Sequence, residues 1–145
     1  MAQFAINSQA GYDNLHKPKM NSDYAAVAMR INNKPFQHSF GLFDGHGPTG
    51  RQCSLHIQKN FASMVSKALN RKYMELQEFQ EMKLNVIKKS RFDLHGYQKK
   101  PEIYLIRDAL RNFCRRMHQD LENICINHRD ELSGSTIVSV FLHGN

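Results

Sequence analysis

Two stretches of the sequence hold residue types whose order suits chemistry. Phe40-Gly41-Leu42-Phe43-Asp44-Gly45-His46-Gly47-Pro48-Thr49-Gly50 sets an acid, a glycine and a histidine where a strand ends and a helix begins. Strand ends are where rigid scaffolds present reactive groups, and glycine lets backbone carbonyls approach a ligand. The Asp44 carboxylate beside the Gly45 carbonyl suits hard, oxygen-preferring cations such as Mg²⁺ or Mn²⁺. His46, two residues on, is the side-chain type that gives or takes a proton near neutral pH. Taken alone, the run is also readable as a Gly-rich turn with an N-capping aspartate. It lacks the Gly-Lys-Ser/Thr of a nucleotide P-loop. Upstream, Lys17-Pro18-Lys19-Met20-Asn21-Ser22-Asp23 places an acid behind two lysines. That pattern suits phosphate-holding cations beside a metal-bound acid, but taken alone it reads first as an ordinary polar turn.

The elements that position these residues follow from hydrophobic spacing. Period-2 alternation over Tyr24–Ile31 sets Ala25, Val27, Met29 and Ile31 on one strand face. Asn32-Asn33-Lys34-Pro35 supplies turn chemistry. Phe36–Phe43 then forms a second strand with Phe36, Phe40 and Leu42 on one face, His38 sharing it and Phe43 opposite. The pair reads as an antiparallel hairpin. Gln3–Asn7 is a weaker strand candidate. From Arg51 the period becomes helical, with Ile57, Phe61, Met64, Val65 and Ala68 on one stripe and Met74–Lys89 as a continuation. Residues 88–100, rich in Lys and Arg, read as an exposed basic loop. A second helix opens at Pro101-Glu102 and runs to about Asn127, with Ile103, Ile106, Leu110, Phe113, Met117, Leu121 and Ile124 as its buried stripe. Thr136–Leu142 reads as a buried strand, and His143-Gly144-Asn145 as the opening of a turn.

Taken together, Asn21-x-Asp23, a strand, Phe40-Gly41-x-Phe43-Asp44-Gly45-His46-Gly47, and Ser133-Gly134-Ser135-Thr136 after a long helix resemble the metal-dependent serine/threonine protein phosphatases of type 2C. The resemblance spans roughly residues 11–145. It implies an α+β fold in which a two-sheet β-sandwich is flanked by helices, and it makes residues 1–145 the N-terminal half of one such domain. It further implies hydrolysis of phosphoserine or phosphothreonine on proteins, with two Mg²⁺ or Mn²⁺ ions in the complete domain. Residue by residue, Asp44 matches the carboxylate that bridges the two metals and Gly45 the carbonyl that ligates one of them. Asp23 matches the acid of the metal-water shell. His46 matches the general acid for the leaving alkoxide, and Lys19 or Lys17 lies near the phosphate-gripping position. The chain departs from the pattern at Ser22, where Gln or Glu is usual, and in lacking an Arg at the phosphate position. The later Gly-Asp-Ser-Arg, Asp-Gly and Asp-Asn segments, the last two supplying metal carboxylates, are not in this sequence. The competing expectation is a non-catalytic, phosphatase-like scaffold or assembly component.

Composition bounds the rest. A chain of 145 residues with 41% apolar and 23% charged residues has the make-up of one folded domain. Of the net charge of +7, residues 51–145 supply +6. The Lys88-Lys89-Ser90-Arg91 cluster carries no interleaved stacking aromatics or recognition motif, so a nucleic-acid partner is not expected. No apolar run is long enough for a membrane span, and no secretory leader pattern opens the sequence. Cys53, Cys114 and Cys125 have no metal-type or framework spacing, and their odd number suits a reducing, cytoplasmic setting. Cys53 reads as core. The expected partners are a phosphoprotein substrate and a further chain or segment covering the edge of the 136–142 strand.

Overall fold

The computed structural model describes residues 4–89, 102–129 and 132–144. The elements run β1 (Asp23–Ala28), a short 3₁₀ turn (Ile31–Asn33), β2 (Gln37–His46), α1 (Gly50–Lys89), α2 (Glu102–Asn127) and β3 (Gly134–His143). The three strands form one antiparallel sheet in the order β1-β2-β3. The fold is therefore α+β, with α1 on one face of the sheet and α2 on the far side of α1. A second sheet, which a sandwich requires, is not present among the described residues. No helix among them is long and apolar enough to cross a membrane.

The hairpin forms as the alternation predicts, but its first strand stops early. Arg30, Asn32 and Asn33 all adopt left-handed backbone angles and break the extended run before Ile31. Asparagine tolerates this region better than most residues, so the Asn-Asn pair turns the chain at low cost. Ile31 is buried while Met29 is exposed. Residues 4–7 are not a strand; Phe4 instead sets its ring edge-on to Phe40, with centroids 6.0 Å apart.

The sheet turns a different face to the helices from the one its apolar alternation suggests. Gln37, Ser39, Gly41 and Phe43 are the buried positions of β2, with Tyr24, Ala26 and Ala28 beside them on β1. Close packing by α1 explains this choice. A β-carbon built on Gly41 would stand 2.6 Å from the ring of Phe43 and 3.0 Å from that of Phe61. Small side chains on this face let the helix settle onto the sheet, and the larger Phe40 and Leu42 are turned outward.

Three aromatic rings carry the core through all layers. Phe43 of β2 meets Phe61 of α1 at 5.3 Å between centroids, and Phe61 meets Phe113 of α2 at 5.6 Å. Around them pack Ile57, Val65, Leu69, Ile106, Ala109 and Met117. Each fully buried side chain of this size contributes roughly 1.5–3 kcal/mol of transfer free energy. Residues 74–89 continue α1, as the sequence suggests. Of the basic stretch 88–100, Lys88 and Lys89 end that helix and 90–100 lie outside the described residues.

β3 is not the buried strand its composition suggests. It is an edge strand, and only Ile137 and Phe141 pack partly against the core. Val138, Val140 and Leu142 alternate with them and point away from the helices, exposed. Register places them in cross-strand rows on the outer face: Ala25, Leu42 and Val138 in one, Val27, Phe40 and Val140 in the next.

Candidate active site

The last row that all three strands share on this outer face is polar. Asp23 of β1 and Asp44 of β2 are direct cross-strand partners, and Thr136 of β3 is the partner of Asp44 on its other side. Because partners in an antiparallel pair share a face, the two carboxylates stand side by side. They open into a cavity of 460 Å³ lined also by Ser8, Leu42, Thr136 and Val138. Partial desolvation first, then the Asp44 charge and a hydrogen bond with it, hold the Asp23 carboxyl above the usual carboxylate range. Two acids arranged so that one resists ionisation is the chemistry a cation relieves.

Local bonds fix this pair. The Asn21 side chain accepts from the Asp23 backbone N–H at 2.9 Å and donates to Ser8 Oγ at 2.8 Å, which sets the entry into β1. The Ser22 carbonyl accepts from the Gly45 N–H at 3.2 Å and from Ser54 Oγ at 2.5 Å. Gly45 is required here. A β-carbon on it would stand 2.2 Å from the Gly50 carbonyl oxygen, so strand end and helix start touch backbone to backbone. Gly47 takes a left-handed φ of 79°, and a β-carbon there would strike Ser133 Oγ at 2.4 Å.

His46 lies on the same face of β2 as Asp44, two residues further, about 7 Å along the strand. Its ring rests over Gly134, where a β-carbon would come within 3.0 Å of Cε1 and Nε2. That contact gives the Ser133-Gly134-Ser135 segment its role: glycine makes room for the imidazole. His46 opens into a different cavity, of 980 Å³, shared with His118, Glu122, Cys125, Arg129 and Ser135. The carboxylates and the imidazole therefore flank one strand end but line two cavities.

Lys17 and Lys19 sit in a loop closed by Asp13, whose Oδ1 accepts from the N–H groups of Leu15 and Lys17 at 2.8 Å each. Lys19 N–H donates to the Gly11 carbonyl at 2.8 Å. Neither lysine lines the carboxylate cavity. Among the described residues there is no group of three or more His, Cys, Asp or Glu able to hold a metal ion. Asp23, Asp44 and the Gly45 carbonyl fit a hard cation by donor type, and complete coordination needs further oxygen ligands.

The chain is similar over part of its length to a plant protein phosphatase 2C. Identity to Probable protein phosphatase 2C 35 of Arabidopsis thaliana is 34% over 64 residues, 44% of this chain and 18% of that relative. No family model matches, and no solved structure matches significantly. The match thus spans just under a fifth of the relative's length, and the similarity suggests a phosphatase-related protein.

Two positions escaped the sequence reading. Ser54 is fully buried, and its signal is a hydroxyl on the apolar stripe of Ile57 and Phe61. Thr136 joins the carboxylates only through register, which spacing along the chain does not reveal.

Proposed function

We propose that this chain contributes one half of a type 2C-like phosphatase site, which hydrolyses phosphoserine or phosphothreonine on a protein substrate once further ligands complete it. The observation that carries this reading is the direct opposition of Asp23 and Asp44 at the edge of a cavity, with His46 on the same strand face. Asp44, Asp23 and the Gly45 carbonyl are the groups that would hold divalent cations. Bound Mg²⁺ or Mn²⁺ supplies an activated water and charge balance for phosphoryl transfer. His46, offset along β2, gives a ring proton to the oxygen that leaves phosphorus. The 34% identity to a plant protein phosphatase 2C supports the same reading.

A scaffold role is the second reading, because Lys17 and Lys19 stand away from the carboxylate cavity and Ser22 contributes a carbonyl rather than an acid. One experiment separates the two. Phosphopeptide hydrolysis by the longest natural form of the protein is followed with Mn²⁺ and with chelator, beside its Asp44→Asn variant. Metal-dependent turnover lost in the variant supports the enzyme. Absence of turnover together with absent Mn²⁺ binding leaves the scaffold.

A further inference from the structure

The sulfurs of Cys53 and Cys125 stand 4.0 Å apart, as thiols, where the start of α1 meets the end of α2. We propose that they form a redox pair, closing to a disulfide under peroxide and transmitting that closure to His46. This inference does not depend on the phosphatase reading.

Access and proximity divide the labour. Cys125 is half-buried and lines the 980 Å³ cavity, so a small oxidant reaches it. Cys53 has no exposed surface at all, so it resolves rather than initiates. A disulfide needs the sulfurs at about 2.0 Å, a closure of about 2 Å that side-chain rotation and a small helix shift supply. The steps balance. The Cys125 thiolate attacks one peroxide oxygen, the O–O bond breaks, and the departing hydroxide takes a proton to become water. Cys125 is then a sulfenic acid. Cys53 sulfur attacks that sulfur, its proton leaving with the displaced hydroxide as a second water. Two thiols lose two protons and two electrons, and one peroxide becomes two waters. Cys114, also on α2, is held protonated longer by partial burial of its thiol, which raises its pKa.

The path to His46 is short, hydrogen-bonded as far as Ser133 and completed by contact at Gly134. Cys125 Sγ donates to the Ser133 carbonyl at 3.4 Å, and Ser133 Oγ accepts from Thr49 N–H at 2.8 Å. Cys53 N–H in turn donates to the Thr49 carbonyl at 3.1 Å. Disulfide closure removes the S–H that holds Ser133, whose neighbour Gly134 is the floor under the His46 ring.

The test uses the 145-residue chain carrying Cys114→Ser, treated with hydrogen peroxide. Thiol titration and peptide mapping are expected to show both thiols lost together, a Cys53–Cys125 peptide lighter by two hydrogens, and full recovery in dithiothreitol. In Cys125→Ser the Cys53 thiol survives the same treatment. In Cys53→Ala, which keeps a small apolar side chain in the core, Cys125 proceeds to sulfinic acid that dithiothreitol does not reverse. The His46 Cε1 proton resonance is expected to move on oxidation and return on reduction, and to stay fixed in Cys125→Ser. Sulfinic acid at Cys125 with Cys53 still titratable, in the chain that has both, overturns the pair. A stationary His46 resonance after the disulfide has formed overturns the transmission.

Discussion

Ser54 Oγ donates to the Ser22 carbonyl at 2.5 Å, so the N-terminal part of α1 is bonded to the residue that precedes Asp23. The same carbonyl accepts from Gly45, the residue after Asp44. One carbonyl therefore couples both carboxylate-bearing strand ends to the helix start.

Ser54→Ala tests that coupling. Ser22 keeps its bond to Gly45 and loses the helix, so the expected destabilisation is about 0.5–1.5 kcal/mol by urea titration. Mn²⁺ affinity, measured by calorimetry, is expected to weaken as well. A variant as stable as the parent would show that α1 docks without this bond.

Asp44→Asn is expected to do two opposite things. Without metal it removes a like charge directly across from Asp23 and raises stability by less than about 1 kcal/mol, since the pair is exposed and screened. With Mn²⁺ it removes a ligand and abolishes binding. The pH sign follows from the raised Asp23 carboxyl. A native-state pKa above the unfolded one means the folded chain binds more protons, so this contribution favours folding in acid and is lost as pH rises through the raised value. Melting temperature against pH should therefore fall more steeply across the carboxylate range in the parent than in Asp44→Asn.

His46→Gln, in the longest natural form of the protein, should slow a phosphopeptide by about 10²–10⁴-fold and p-nitrophenyl phosphate far less. The nitrophenolate leaves without a proton, whereas a serine alkoxide does not. Equal losses on both substrates would assign His46 a positioning role.

Phe61→Ala removes the middle ring of the Phe43–Phe61–Phe113 series and should cost about 3–5 kcal/mol. A loss below 1 kcal/mol by chemical denaturation would mean that the layers hold together by other contacts.

The outer face gives a solubility prediction. Leu42 and Val138 are cross-strand partners, 63% and 64% exposed. An apolar face of this kind beside an open strand edge favours self-association. Leu42→Glu combined with Val138→Lys keeps an attractive cross-strand pair and removes the apolar patch. Light scattering should show the parent chain associating and the double variant markedly less so.

Much of the scaffold was legible because it rests on periodicity. Both long helices, the Asn-Asn turn and the antiparallel hairpin follow from spacing, and Asp23 and Asp44 follow from their positions at its ends. The choice of face was not legible. Alternation tells which residues share a side of a strand, but the side that meets α1 depends on the fit at Gly41, where the rings of Phe43 and of Phe61, distant in sequence, crowd the position. For the same reason β3 read as buried: its β-branched run fits an apolar environment, and the described elements provide one on a single side only. Nor does any local signal bring Cys53 to Cys125, or separate His46 from the carboxylate cavity. Those relations arise where α2 ends and β3 begins.

The row order on the outer face has one more consequence. Asp23, Asp44 and Thr136 form the last row shared by all three strands, and the apolar rows of Leu42 and Phe40 follow immediately. Whatever lies over the apolar rows must halt one residue pair short of the acids or bury them. A layer laid over those rows would, by its reach, set the depth of the acid-lined well and the dielectric in which its charges act. Covering the sheet would then also tune the acids, and a change in the length of such a cover would alter their charge state without touching either of them.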